Sequence, residues 1–86
     1  MSLEEKFQKA QLDVKKLPSQ PNDVLLTMYA LFKQATLGDA TGKKPGMFDI
    51  VAKAKFEAWE GKKGLSKDAA MQEYIALVEK QTKQGS

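Results

Sequence analysis

The sequence predicts an all-α fold, and three observations support this prediction. Apolar residues recur at intervals of three and four in four segments, which places them on one face of a helix. Proline, glycine and polar capping residues separate these segments. No segment shows the alternation of a half-buried strand. Because 86 residues leave room for one core, we expect a single domain over residues 1–86.

The first helix is predicted to begin after Ser2 and to end at Pro18. Ser2 and Glu5 have the spacing of a capping box, in which each side chain accepts a hydrogen bond from the other residue's backbone N–H. Pro18 cannot continue a helix. The apolar face between them consists of Leu3, Phe7, Ala10, Val14 and Leu17.

The second helix is predicted to be capped by Asn22 or Asp23 and to end at Gly38 in a left-handed conformation. It carries two apolar stripes. The first has the spacing of a core face and consists of Val24, Leu25, Met28, Leu31, Phe32 and Ala35. The second lies well to one side of it and consists of Leu26, Tyr29 and Lys33.

The second stripe places an aromatic ring and a cation one helical turn apart, at Tyr29 and Lys33. A helix with one packed face does not need Leu26 and Tyr29 on another, so we expect something apolar to cover them. One interpretation is a ligand site. The other is a neighbouring helix that covers Leu26 and Tyr29 while the Lys33 ammonium reaches solvent.

The third helix is predicted to begin at Asp49 and to end before Gly64, after a loop over residues 38–47 that serves as a crossover or a lid. Its Ala52, Phe56 and Trp59 share one side. Lys55 lies between Val51 and Trp59 at i+4 spacing, so a second cation interrupts an apolar surface. Here too the alternative is a lysine that reaches past the apolar groups to solvent.

The fourth helix is predicted to be capped by Ser66 and to present a broad apolar face. Tyr74 lies in the middle of this face, where most tyrosines are core residues whose hydroxyl finds a nearby partner. The face consists of Ala70, Met71, Tyr74, Leu77 and Val78.

The composition disfavours an enzyme, because the chain has neither histidine nor cysteine. The commonest general base, the commonest metal ligand and the thiol nucleophile are therefore missing, and we predict no catalytic residues, no metal site and no cofactor. The glycines match neither a phosphate loop nor a dinucleotide fingerprint. We expect no signal peptide and no membrane span, and a reducing, cytoplasmic location.

The net charge of +3 favours anionic partners in general. All 14 basic residues are lysines scattered along the chain, so the bidentate fork that arginine offers to guanine is absent. Sequence-specific DNA recognition is therefore a weak hypothesis, and we predict no nucleic-acid partner.

Several runs, taken in order, resemble the acyl-CoA-binding protein family over nearly the whole chain. They are YALFKQATLGD at 29–39, KPGM at 44–47, KAKFEAW at 53–59, glycine at 64, SK at 66–67 and MQEYIALV at 71–78. The resemblance implies a bowl-shaped four-helix bundle with up-down-down-up topology. It also implies that the protein holds a fatty acyl-CoA ester without transforming it.

The resemblance also implies a set of ligand contacts. Tyr29, Lys33, Lys55 and Tyr74 match residues that contact the CoA head group, and Lys15 matches a further basic contact. In the family the lysines meet the ribose 3′-phosphate and the diphosphate, and aromatic rings hold the adenine. Leu26 and Met28 are predicted to form the wall of an apolar groove for the acyl chain, and Phe32 is a further candidate ligand contact.

The sequence departs from the family pattern at three helical positions. Phe32 stands where a tyrosine is frequent, Val51 where a lysine is common, and Phe56 where a tryptophan is frequent. The connection between the first two helices is one residue shorter than in longer members. We expect these differences to lower head-group affinity at most, while the groove walls decide the preferred chain length.

Three functional hypotheses follow. The leading one is an intracellular carrier and buffer of medium- to long-chain acyl-CoA esters, monomeric, non-catalytic and capable of transient membrane contact. The alternative is a lysine-rich helical interaction module for nucleic acid or an acidic protein, which predicts a steep salt dependence and no selectivity for CoA. An enzyme of acyl-CoA metabolism is disfavoured because histidine and cysteine are absent.

Overall fold

The computed structural model describes residues 2–84, and these form four α-helices, which confirms the predicted all-α fold. The helices are α1 (Leu3–Val14), α2 (Asn22–Leu37), α3 (Ile50–Glu60) and α4 (Lys67–Gln84). α2 is the central element, because it packs against both α3 and α4, while α1 packs against α4. α3 therefore joins the other helices through α2.

Contacts along α2 define the directions of its neighbours. Leu25 and Leu26, near the start of α2, border the same groove as Ile50 and Val51 at the start of α3, so these two helices run parallel. Gln34, near the end of α2, bonds the backbone of Leu65 just before α4, so α2 and α4 run antiparallel. The bundle has the predicted up-down-down-up topology.

α1 begins at the predicted capping box and ends earlier than predicted. The backbone N–H of Glu5 donates to Ser2 Oγ, and the N–H of Ser2 donates to Glu5 Oε1, both at 3.2 Å. The helix ends at Val14, and i→i−3 hydrogen bonds tighten the chain from Lys15 to Leu17. The residue before a proline is disfavoured in the α conformation, which explains why the chain leaves the helix before Pro18.

The predicted cap of α2 is wrong, whereas those of α3 and α4 are confirmed. Asn22 is already helical, and Pro21 occupies the N-cap position without a side-chain hydrogen bond. Pro21 still contributes its carbonyl, which accepts from the N–H of Leu25 at 3.1 Å. Asp49 Oδ1 accepts from the N–H of Ala52 at 3.2 Å, and Ser66 Oγ accepts from the N–H of Ala69 at 3.1 Å.

The core lies between α1, α2 and α4. It consists of Phe7, Ala10, Met28, Leu31, Ala35, Ala70, Tyr74 and Val78, which are all 5% exposed or less. Leu25 was predicted to belong to this core, and that prediction is wrong, because its side chain is 46% exposed. It lies at the edge of the core stripe, turned toward α3, and borders a groove instead.

The segment between α2 and α3 is a crossover that two parallel helices require. Gly38 ends α2 with a φ of 85°, which confirms the predicted need for glycine there. Further along, the Lys44 ammonium lies 3.4 Å from Glu60 Oε1 and 3.8 Å from Glu57 Oε2, both on α3. These contacts attach the crossover to the helix that it leads to.

A polar network joins the end of α2 to the connections around α3. The fully buried Gln34 donates from Nε2 to Asp39 Oδ1 at 2.7 Å and to the carbonyl of Leu65 at 2.8 Å. The N–H of Gly64 also donates to Asp39 Oδ1, at 2.9 Å. These hydrogen bonds hold the pKa of the Asp39 carboxyl below its ordinary value, and the bond from the Gly64 N–H has a larger effect than the bond from the Gln34 amide. The network fixes both connections against the end of α2.

None of the helices formed by residues 2–84 has the length and apolarity needed to cross a bilayer.

Candidate ligand-binding site

The parallel packing of α2 and α3 leaves an apolar groove of about 330 Å³ between the first halves of these helices. α2 lines it with Asn22, Leu25, Leu26 and Tyr29, and α3 lines it with Ile50, Val51, Ala54 and Lys55. Aliphatic side chains thus form most of the lining, while a phenol ring and an ammonium group stand at one end. A ligand with an apolar part and an anionic part matches this division.

Two lysines stand beside the ring of Tyr29. The Lys33 ammonium lies 5.7 Å from the ring centroid, and the Lys55 ammonium lies 5.4 Å from it. Both distances are in the range of cation–π attraction. Lys33 and Tyr29 are one turn apart on α2, while Lys55 approaches from α3. The second stripe of α2 is therefore covered in part by α3, as the neighbouring-helix interpretation predicted, and it also borders a groove, as the ligand interpretation predicted.

The positive charge of these two lysines is not balanced by carboxylates. Within residues 2–84 neither Lys33 nor Lys55 forms a salt bridge. Two like charges near one ring, without an acidic partner, favour the binding of an anion. Phosphate groups are suitable anions, because lysine meets them as a mobile point charge.

Trp59 adds a second aromatic ring to this end of the groove. The Lys33 ammonium lies 5.7 Å from the Trp59 ring centroid. The indole is 8% exposed, and its Nε1–H donates to the carbonyl of Gly38 at 2.7 Å. Phe56 contacts it edge to face at 6.0 Å between centroids. The tryptophan ring is thus held rigidly beneath the lysine.

Tyr74 and Phe32 belong to a different aromatic cluster, formed with Phe7 between α1, α2 and α4. The Phe7 and Tyr74 rings meet edge to face at 5.1 Å, and the Phe7 and Phe32 rings stack at 6.0 Å. Burial raises the pKa of the Tyr74 hydroxyl above its ordinary value of 10.0. The Tyr74 hydroxyl forms no hydrogen bond with any other group of residues 2–84.

The structure thus divides the predicted site residues into groups. Leu26, Tyr29 and Lys55 line the groove, and Lys33 stands at its edge beside Tyr29. Phe32 and Tyr74 meet in the neighbouring aromatic cluster, with 6.5 Å between their centroids. Lys15 is exposed at the C-cap of α1, away from the groove lining, and Met28 is buried in the core at 5% exposure. The roles predicted for all these residues stay predictions.

Sequence reasoning did not assign several residues to the site. Leu25 was placed in the core, and Trp59 was noted only as an apolar residue of α3. Asn22 was considered only as a cap of α2, and Ala54 and Ile50 were not singled out. The i+4 spacing of Lys55 and Trp59 was a usable signal, since it places the indole one turn beyond the second lysine.

An apolar groove with a cationic, aromatic end, built on parallel helices of an all-α bundle, defines a class of binding protein for amphipathic anions. The family model described as "Acyl CoA binding protein" matches residues 4–78. The chain belongs to the acyl-CoA-binding protein family, as its sequence predicted.

Individual relatives agree with this assignment. The chain is 58% identical over 74 residues to "Acyl-CoA-binding protein homolog 1" of Caenorhabditis elegans, covering 85% of this chain and 86% of that protein. It is 53% identical over 81 residues to the acyl-CoA-binding protein homolog of Manduca sexta, covering 92% and 90%. The crystal structure of Oryza sativa acyl-CoA-binding protein 2 superposes with a TM-score of 0.94 at 36% identity, covering 96% and 93%.

Proposed function

We propose that this protein binds medium- to long-chain fatty acyl-CoA esters, one per chain, and carries and buffers them without chemical change. The observation that carries the proposal is the placement of Lys33 and Lys55 beside the Tyr29 ring, at the end of an apolar groove. Family membership supports the same ligand, since the relatives are named for acyl-CoA binding.

In this proposal the head group occupies the charged end of the groove. Lys33 and Lys55 hold the phosphates, and Tyr29 stacks against the adenine. Base stacking on an aromatic ring contributes about 1–3 kcal/mol in nucleic-acid complexes. The Tyr74 hydroxyl, Phe32 and Lys15 are further head-group contacts that the family resemblance implies.

The acyl chain follows the aliphatic groove away from this end. Each buried methylene contributes about 0.8 kcal/mol, so affinity should rise with chain length until the groove is filled. Leu26 and Ala54 are proposed as wall residues, with Leu25, Ile50 and Val51 beside them. Met28 lies beneath this wall in the core, so any effect of Met28 on chain length would act through packing.

Other properties of the protein are part of the same proposal. Catalysis and a resident cofactor are not needed for carriage, and the residues of the site offer no nucleophile paired with a general base. We also propose one domain over residues 1–86, a monomer, and a cytoplasmic location. The interaction-module alternative gains no support from the relatives or from the groove.

Isothermal titration calorimetry tests the proposal directly. The ligands are free CoA, octanoyl-CoA, palmitoyl-CoA, palmitate and a short oligonucleotide. We expect one-to-one binding that needs the CoA head group and strengthens with acyl length. No heat with either acyl-CoA would refute the proposal, and binding to the oligonucleotide alone, with a steep salt dependence, would establish the alternative.

Single substitutions connect the result to the site. Lys33→Ala and Lys55→Ala each remove one charge-assisted contact of about 1.5–3 kcal/mol, so we expect about 10- to 150-fold weaker palmitoyl-CoA binding. Tyr29→Leu should weaken it by about 5- to 150-fold through lost stacking. Lys80→Ala, an exposed lysine on α4, is the matched control and should bind like the wild type. Equal binding by all four variants would place the ligand elsewhere.

A further inference from the structure

The start of α3 and the residue pair before Asp49 form an exposed apolar surface, which we call the apolar ridge. Phe48 is 97% exposed, Ile50 75%, Met47 74% and Val51 66%. Exposed hydrophobic residues are common when they are scattered singly, but four within five consecutive positions mark an interaction surface. The ridge is therefore expected to have a partner.

The surroundings of the apolar ridge are cationic. Lys43 and Lys44 precede it, and Lys53 and Lys55 follow it within one turn of α3. Asp49 is the only acidic residue of the segment 43–55, and its carboxylate accepts the N–H of Ala52. Of the four lysines, Lys44 alone forms salt bridges within residues 2–84. Lysines thus flank the ridge on both sides along the chain.

The proposed acyl-CoA ligand does not cover the whole ridge. Ile50 and Val51 line the groove between α2 and α3, so an acyl chain in the groove would contact them. Met47 and Phe48 lie outside that lining and are among the most exposed large hydrophobic side chains of residues 2–84. A separate partner is needed to bury them.

We propose that the apolar ridge docks on the surface of an anionic lipid bilayer. Aromatic and aliphatic side chains enter the boundary between head groups and acyl chains, while neighbouring lysines meet anionic head groups. This charge pattern favours a bilayer over an acidic protein groove, because long lysine side chains can stay at the head-group level while Phe48 enters more deeply. The inference deepens the proposed function, since docking would bring the groove against the membrane that supplies or receives the ligand.

Sedimentation with sucrose-loaded vesicles tests the proposal without any acyl-CoA present. The vesicles contain phosphatidylcholine alone or phosphatidylcholine with one third phosphatidylserine. We expect the wild type to bind the anionic vesicles and to bind the neutral ones much more weakly. Phe48→Ser should reduce the partition coefficient by about 10- to 100-fold, because an aromatic side chain is no longer buried. Lys43→Gln should reduce it by about fivefold.

Matched controls separate the ridge from the general properties of the surface. Leu37→Ser removes another exposed apolar side chain, 61% exposed, at the opposite end of α2. Lys63→Gln removes a lysine beyond the opposite end of α3. Both should partition like the wild type. Equal losses in the ridge variants and the controls would overturn the proposal, and so would wild-type binding that does not depend on phosphatidylserine.

A fluorescent variant reports insertion directly. Phe48→Trp should show a blue-shifted emission with anionic vesicles and quenching by brominated lipids, whereas the wild type reports only the buried Trp59. An unshifted spectrum would overturn insertion. Sedimentation velocity then shows whether the protein is a monomer or a dimer. A wild-type dimer that becomes a monomer in Phe48→Ser, in a protein that binds no vesicles, would overturn the proposal and show that a second copy covers the ridge.

The two proposals fail separately. Phe48→Ser should keep wild-type affinity for octanoyl-CoA in the absence of vesicles, because Phe48 lies outside the groove lining. A wild-type protein that binds acyl-CoA but no vesicles would refute the docking proposal and leave the proposed function standing. Vesicle binding by a protein that takes no acyl-CoA would refute the proposed function and leave the docking surface standing.

Discussion

Replacing Gln34 with glutamate probes the polar network at the end of α2. The Gln34 side chain is 0% exposed, and its Nε2 donates to Asp39 Oδ1 at 2.7 Å and to the Leu65 carbonyl at 2.8 Å. Gln34→Glu keeps the shape of the side chain but replaces the amide donor with an oxygen. That oxygen would face two acceptors, one of which is a carboxylate.

The cost has two parts. In the protonated form the new carboxyl can donate one hydrogen bond where the amide donated two, which costs about 1–3 kcal/mol. In the charged form a buried carboxylate faces Asp39, which raises the pKa of the new carboxyl. Buried carboxyls commonly have a pKa raised by about two to three units, and a rise of this size costs about 3–4 kcal/mol at neutral pH. The sum, about 4–7 kcal/mol, approaches the whole stability of a small domain.

Urea unfolding followed by far-UV circular dichroism measures this cost. A carboxyl whose folded pKa is raised favours folding below its unfolded pKa and loses that contribution as pH rises through the folded pKa. We therefore expect Gln34→Glu to be more stable at about pH 5 than at about pH 7. Gln34→Leu should lower the free energy of unfolding by less, because it also removes the buried Oε1, which makes no hydrogen bond within residues 2–84. Its stability should not show this pH dependence, since leucine does not titrate.

Gln72→Glu on the exposed face of α4 is the surface control and should unfold like the wild type. The reasoning would be refuted if Gln34→Glu and Gln34→Leu unfolded at the same urea concentration at neutral pH. That result would mean that the side chain reaches water and that the network does not enclose it.

Three further predictions concern the bundle itself. Leu31→Ala should lower the free energy of unfolding in urea by about 2–5 kcal/mol, because Leu31 is only 2% exposed. Leu37→Ala, at a residue that is 61% exposed, should lower it by less than about 0.5 kcal/mol. Equal losses would contradict the burial pattern. Gly38→Ala should cost about 1–3 kcal/mol, since φ is 85°, whereas Gly46→Ala should be nearly neutral; thermal unfolding distinguishes the two. The pKa of Asp39 is lower in the folded than in the unfolded chain, so this carboxyl stabilises the fold at pH values above 3.8, and the contribution is lost as the pH falls through the folded pKa. Asp39→Asn should therefore make the free energy of unfolding depend less steeply on pH in acid. An unchanged pH dependence would exclude this carboxyl as its cause.

The elements of the fold were largely predictable because their signals are local. The Ser2–Glu5 capping box, the caps at Asp49 and Ser66 and the glycine at the end of α2 each depend on residues within one turn. The predicted cap of α2 was wrong, since two suitable polar residues follow Pro21 and the sequence does not show which residue enters the helix first. Side-chain type alone could not decide between them.

The site was predictable only in part. Tyr29 and Lys33 lie one turn apart on one helix, so helical geometry alone brings them together. Lys55 was recognised as an unusual cation, but its approach to Tyr29 depends on the packing of α3 on α2. Its pairing with Tyr29 in one head-group site came from the family resemblance and not from spacing.

The sequence alone determined the all-α class, the boundaries of most helices and the family, because periodicity, caps and ordered motifs are properties of the chain itself. The packing of the helices, by contrast, is what takes Leu25 out of the core and places Trp59 beneath Lys33. Each of these outcomes depends on which helix packs against which side of α2. That choice is made by the burial of all four apolar faces together, and no single segment of the sequence contains it.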